Sequence, residues 1–408
     1  MKKLVCVVLV CMMVLAGMSL TVAATEIASG QFGDCLDTGM PGAEWVLQSN
    51  GVLTVDSGFI EWDGRDVLIP NPVVYSWESP WVSHALDINE IVFTGSVTAG
   101  ETLNGLFGGL FFLADIEGLY HFNLSNTTDI SGMFWYAWDL RNLNLSYWYT
   151  ANITDMSGMF AYTNRLISLD LSNWDTSNVT DMGSMFFASG VSEIDVSHFD
   201  TSEVTNMSFM FFDTRATSLD LSNWDTSNVT NMSRMFDGMQ RLHEISLGEN
   251  FNFVGGTSAN LPWVSNDSQF TGRWQNVGAG TVNNPQGEFA FTALELMENY
   301  DGSTMADTWV WQPVRMNVFE ITSFEVLNGN VYITAINTMS VDQNLLLFAA
   351  NYDGNIELIG EAFMEPVLIP SGISVSIAPI ALPDGFDGAK VMLWDRTFNP
   401  IVPYIVSV

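Results

Sequence analysis

The chain has 408 residues, 48% of them hydrophobic, and a formal charge of −34. That apolar content is ample for two or three packed domains, so the charge does not imply disorder. Twelve Lys and Arg against 46 Asp and Glu exclude a nucleic-acid surface and disfavour an anionic lipid one, because both need basic contacts. The same balance suits cationic partners and divalent ions.

Residues 1–24 have the form of a secretory signal: Lys2 and Lys3, an apolar run over 4–16, and Val22-Ala23-Ala24 as a small-residue cleavage site. Cleavage there would leave a product of charge −36 with Lys390 as its only lysine. The apolar run is short for a membrane span, and no later stretch reaches the ~18 apolar residues that one needs, so no insertion is expected after cleavage. Cys6 and Cys11 lie in the signal, which leaves Cys35 alone; it cannot form an internal bridge and is read as a small buried apolar residue.

Residues 25–100 are expected to form a β-rich N-terminal cap. Runs 44–48, 51–55 and 59–62 read as short strands, with Ser49-Asn50-Gly51 as a hairpin signal and Trp77, Trp81 and Ile91 packing onto the first repeat.

Residues 101–250 are repetitive. LDLSNWDTSNVT stands at 169–180 and again at 219–230, with the looser IDVSHFDTSEVT at 194–205 between them. A Met-Phe pair recurs at Met133-Phe134, Met159-Phe160, Met185-Phe186, Met210-Phe211 and Met235-Phe236, in steps of 26, 26, 25 and 25. Self-similarity at this period predicts a solenoid. In each unit Leu-Asp-Leu-Ser suits a short strand and Asn-Trp-Asp-Thr-Ser-Asn suits a turn. Thr180 then reads as a helix N-cap, and Val179, Met182 and Phe186 as one face of a short helix. One strand and one helical turn per unit is a leucine-rich repeat. The Trp148, Trp174, Phe199, Trp224 column and the Met-Phe column are expected to be core.

Residues 251–313 lose the repeat and read as a C-terminal cap with a short helix over 291–300. Residues 314–408 show strand-like runs at 318–326, 331–337, 345–351, 356–361, 373–379 and 389–394, split by turns such as Asp353-Gly354 and Asp384-Gly385, which predicts a β-sandwich domain. The expected class is therefore α+β, β-rich: a leucine-rich-repeat solenoid of ~25-residue units, capped at both ends, with a C-terminal β-sandwich.

The units LDLSNWDTSNVTDMGSMF and LDLSNWDTSNVTNMSRMF resemble the BspA-type leucine-rich repeats of bacterial surface proteins. The stretch around Trp45–Leu53 with Ser79-Pro80-Trp81, and FTGRWQNVGAGTV at 270–282, resemble flanking parts of the same proteins. The tail at 388–403 is similar to the last strands of β-domains appended to Gram-positive surface proteins. The resemblance implies secretion and binding to host, matrix or neighbouring-cell components. It supplies no shared ligand and no catalytic residue.

Chemistry is sparse. His84, His121, His198 and His243 are scattered, and no His-x-x-x-His, paired Cys or glycine-rich phosphate loop occurs, so an enzyme is not expected. Two ladders stand out. Asn144, Asp170, Asp195, Asp220 and Ser246 should line an outward column on the strand face, as the expected ligand-binding residues. Asp175, Asp200 and Asp225 should make a second column at the turn, below Tyr149. Like charges opposite one another destabilise a sheet, so either Ca²⁺ or the serines and amides of each turn must offset them. Local turn bonds are the favoured offset. The expected function is non-catalytic recognition or adhesion at the cell exterior, with a protein or glycan ligand. Alternatives are a cell-surface-layer component with cation-dependent assembly and, less favoured, a secreted hydrolase.

Overall fold

The computed structural model describes residues 24–64 and 78–314, and beyond them the backbone of seven strands between 319 and 406. The expected signal segment, but for Ala24, lies outside those residues, as do Trp77, the run at 356–361 and the turns at Asp353-Gly354 and Asp384-Gly385. The chain divides into two compact units, Met1–Pro313 and Val314–Val408.

The first unit opens on a five-stranded sheet in the order Glu26–Gln31, Glu44–Gln48, Val52–Val55, Glu90–Phe93 and Asp115–Glu117. The first two pairings are antiparallel and the last two parallel. A parallel three-stranded sheet runs through Gly58–Asp63, Val97–Asn104 and Phe122–Asn123. Trp81 is fully buried and packs edge-on to Phe32 and Trp45.

The leucine-rich-repeat solenoid, with a helical turn in each unit, is overturned. Residues 101–250 contain no α-helix; among the described residues of the unit the α-helices are Ala293–Asn299 and Gly302–Met305. After Phe122–Asn123 the strands in the repeats shrink to Ser168–Leu169 beside Glu193–Ile194 and Ser218–Leu221 beside Glu244–Leu247, in separate sheets. Residues 314–408, expected as a sandwich, form two separate antiparallel sheets. One has three strands in the order Phe319–Leu327, Asn330–Asn337, Ser374–Ala381. The other has four, in the order Phe363–Ile369, Gln343–Asn351, Ala389–Trp394, Pro400–Val406.

The backbone shows why no helix forms. A helix would turn every amide inward to the residue four back. Here only alternate amides stay local: Met133 donates to Ile130 O, Trp135 to Gly132 O and Ala137 to Phe134 O, at 3.3, 2.9 and 3.0 Å. The amides between them leave the unit. Ile130, Gly132, Phe134 and Tyr136 donate to the carbonyls of Asp155, Ser157, Met159 and Ala161, at 2.7–3.1 Å. The same alternation runs from Met156, Gly158, Phe160 and Tyr162 to the following unit, and again from Met182, Ser184, Phe186 and Ala188. Left-handed residues recur at Gly132, Gly158, Ser184, Phe209 and Arg234, with φ 59°, 62°, 57°, 58° and 57°. A residue in that conformation ends a helix rather than continuing it. Thr180, expected as an N-cap, instead donates its hydroxyl to Thr154 O at 3.1 Å, tying one unit to the previous one.

The apolar spacing that suggested a helix face still points inward: Val179, Met182 and Phe186 are fully buried. Phe107, Phe134, Phe160, Phe186, Phe211 and Phe236 stack in a spine, with centroids 5.3, 5.7, 5.5, 5.7 and 6.3 Å apart and planes within 15° of parallel. Each such pair adds about 0.5–1.5 kcal/mol beyond its buried area. Trp148, Trp174, Phe199 and Trp224 are buried beside it. The stack ends where strand Asp307–Pro313 pairs antiparallel to Glu244–Leu247. Thr292 starts helix Ala293–Asn299 with a capping box, its hydroxyl accepting from Glu295 N while Glu295 accepts from Thr292 N.

Candidate functional site

The two ladders sit on turns that are built alike. At the strand face, Oδ1 of Asp170 accepts from Ser172 N and Oγ at 3.1 and 2.7 Å. Asp195 does the same with Ser197 at 3.0 and 2.6 Å, and Asn144 with Ser146 at 3.2 and 2.7 Å. Asp220 accepts from Ser222 N at 3.0 Å. A short polar side chain closing on the amide two residues ahead is the turn bond these residues favour. Asp220 and Ser246 are register partners, and Asp170 and Asp195 each follow the paired residues Leu169 and Ile194. Asn144, Asp170, Asp195 and Asp220 are exposed, whereas Ser246 is half-buried and bonded to Thr308 Oγ1 at 2.8 Å. The column is therefore four residues open to a partner, closed at its end by the strand Asp307–Pro313.

The second ladder has the same chemistry. Asp175 and Asp200 accept from the amide and hydroxyl of Ser177 and Ser202, and Asp225 from the amide of Ser227, at 2.6–3.0 Å. Their backbones are fixed from within by buried threonines. Thr150 Oγ1 accepts from Asp175 N and donates to Asp175 O, both at 2.9 Å, and Thr201 does the same to Asp225. Serine hydroxyls, and then serine amides, hold Asp170, Asp175 and Asp195 below the usual carboxyl range. Each of these carboxylates thus has a hydrogen-bond donor within its own turn. Among the described residues no group of three or more His, Cys, Asp or Glu converges on a metal-sized site.

A cleft of about 580 Å³ opens at the first end of the strand-face column. Asn144 lines it together with Tyr120, His121 and Tyr147. Tyr120 and Tyr147 are 63% and 70% exposed, and their rings lie 6.3 Å apart at 67°. Two open phenol rings beside an amide and an acidic column form a surface with both stacking and hydrogen-bonding capacity.

A third column escapes a reading of the sequence unit by unit. Asp129, Asp155, Asp181, Asn206 and Asn231 are joined by successive parallel bridges. Burial first, and then the charges of Asp129 and Asp181, raise Asp155 above the usual carboxyl range, against the lowering bonds from Ser157. Asp181 is relieved by the Asn206 amide, which donates to both its oxygens at 2.9 and 3.1 Å. The signal is an Asp or Asn one position before Ile130, Met156, Met182, Met207 and Met232. Cys35, expected buried, is half-buried and free; the Thr38 hydroxyl lowers its thiol pKa.

Residues 101–192 and 167–255 match a family described as Mycoplasma protein of unknown function, DUF285. The matches cover the repeats and less than half of the chain, and the family's description names no activity. No curated protein and no solved structure matches. The repeats are thus similar to those of a bacterial family. No helix of the described residues is long and apolar enough to cross a membrane.

Proposed function

We propose that the chain is a secreted or cell-surface bacterial recognition protein that binds a protein or glycan ligand without catalysis, as the BspA-type resemblance of its repeats implies. The observation that carries this reading is the strand-face column. Asn144, Asp170, Asp195 and Asp220 are exposed and each is pre-set by its own serine. In every case only Oδ1 is engaged by the turn, so the second oxygen or the amide is free for a partner. Rigid side chains lose little entropy on binding, which favours recognition by such a surface. The neighbouring open rings of Tyr120 and Tyr147 extend it.

The test is capture on arrays of extracellular-matrix proteins and glycans by the wild-type chain and by Asp170→Asn/Asp195→Asn/Asp220→Asn. Each charge-assisted bond is worth roughly 1.5–3 kcal/mol, so a ligand held by the column should be lost at least tenfold. Equal capture by both chains, or capture by neither, overturns the reading.

A further inference from the structure

The repeats carry a second cleft, of about 510 Å³, which none of the column residues lines. Ser189 and Thr214 are among its lining residues, and their hydroxyls are buried. The two residues are 2% and 5% exposed, and neither Oγ nor Oγ1 has a hydrogen-bond partner. They occupy equivalent places in successive units. The residue in the same place one unit earlier, Thr163, donates its hydroxyl to Phe160 O at 2.8 Å. The orphan state is therefore not a general feature of the turn. A buried polar group without a partner is costly and calls for an explanation.

Charge marks the same cleft. Six arginines lie among the described residues. Arg165, Arg234 and Arg273 hold ion pairs with Asp139, Asp237 and Glu295. Arg141, Arg215 and Arg241 hold none; Arg215 and Arg241 line this cleft, with Asp213 as the one carboxylate on its wall. On a chain of charge −34 this is a local excess of unpaired positive charge. A flat face completes it. Trp138 is 47% exposed. Turning the Asn164 amide lets its oxygen accept from the Trp138 indole at 2.9 Å while its nitrogen donates to Ala188 O at 2.8 Å, which fixes the ring. Tyr162 stands beside it and stacks on Tyr136 at 4.1 Å.

An open aromatic face, two hydroxyls in need of partners and two free guanidiniums complement a ring that carries both hydroxyls and a carboxylate. We propose that this cleft binds an acidic saccharide, a hexuronate or similar unit of a glycan. The carboxylate meets Arg215 and Arg241, where a guanidinium can bond both oxygens. The sugar hydroxyls satisfy Ser189, Thr214 and Asp213, and the apolar face of the ring lies on Trp138. An acidic peptide would satisfy the guanidiniums but brings no rigid ring to the indole. At physiological salt the screening length is about 8 Å, so the distant carboxylates do not repel the ligand. The site shares no residue with the strand-face column, so either assignment can fail without the other.

The test is calorimetric titration of the full chain at physiological salt with trigalacturonate, a hyaluronan tetrasaccharide, sialyllactose, neutral galactotriose and triglutamate. At least one acidic sugar should bind, and Arg215→Gln/Arg241→Gln, two exposed positions, should weaken it about tenfold or more with an unchanged melting temperature. Thr214→Val should weaken binding while leaving the melting temperature equal or higher, since it removes an unpartnered hydroxyl. A fall in melting temperature would overturn the role given to that hydroxyl. Absence of binding by all three acidic sugars, or binding that the arginine variant does not weaken, would overturn the site. Equal binding of galactotriose would overturn the acidic requirement, and equal binding of triglutamate the saccharide.

Discussion

Residues 169–180 and 219–230 are the same twelve letters in two places, and they do not fold identically. Their asparagine bonds agree closely. The Asn173 and Asn223 amides donate to Ser146 O and Ser197 O at 3.2 and 3.1 Å, and Asn178 and Asn228 to Ala151 O and Ser202 O at 2.8 and 2.7 Å. Their strands differ. The first copy contributes only the end of Ser168–Leu169, the second most of Ser218–Leu221. The indole of Trp224 donates to Val196 O at 2.9 Å, that of Trp174 to Leu145 O at a weak 3.5 Å. The difference lies in the neighbours. The second copy pairs with Glu244–Leu247, itself held by Asp307–Pro313, whereas the first pairs with the two-residue strand Glu193–Ile194. The asparagine bonds to the preceding unit travel with the letters; strand length is set by the segment lying alongside.

Substitutions at matching positions separate the two copies. The largest effect is expected from Trp224→Ala, at about 3–5 kcal/mol by denaturant unfolding. Trp174→Ala should cost about 1 kcal/mol less, because its indole bond is already stretched. Equal losses would deny that the neighbours matter. Next, Thr201→Val strips both a donor and an acceptor from Asp225 and should cost about 1–3 kcal/mol, read the same way. Thr176→Val, whose hydroxyl bonds only Asp200 O, should cost less.

A smaller effect, of opposite sign, is expected in the buried column. Asp155 titrates higher in the folded chain than in the unfolded one. The native state then binds more protons, and stability is lost as pH rises from the unfolded value toward the folded one. Asp155→Asn should raise the melting temperature at pH 7, and the gain should vanish below about pH 4. The chain already uses Asn at 206 and 231 in this column. The smallest effect is at the surface. Ser172→Ala should leave the melting temperature unchanged and move the Asp170 pKa, read by NMR titration, up toward the ordinary value, because the serine hydroxyl is the main cause of its lowering.

The period and the buried Trp and Met-Phe columns were legible because the same residue types recur every 25–26 positions, and the serine-closed turns because each depends on residues two positions apart. The missing helix was not. Val179, Met182 and Phe186 have helical spacing, yet a run of tight turns buries the same positions. Its mark, a left-handed residue, falls on Gly132 and Gly158 in early units but on Ser184, Phe209 and Arg234 in later ones, where no glycine announces it. The Asp129–Asn231 column was readable only by aligning the units against one another. The cleft at Ser189 and Thr214 was beyond reach, since Thr163 occupies the same place in its own unit and is satisfied.

On the proposed reading the strand-face carboxylates, and not the overall charge, recognise the partner. The most direct measurement is ligand capture by the wild type, by Asp170→Asn/Asp195→Asn/Asp220→Asn and by Asp175→Asn/Asp200→Asn/Asp225→Asn, side by side. Each variant removes three charges, from the same kind of serine-closed turn. Loss of capture in the first variant with retention in the second is the predicted result. Equal loss in both, or retention in both, would contradict the claim.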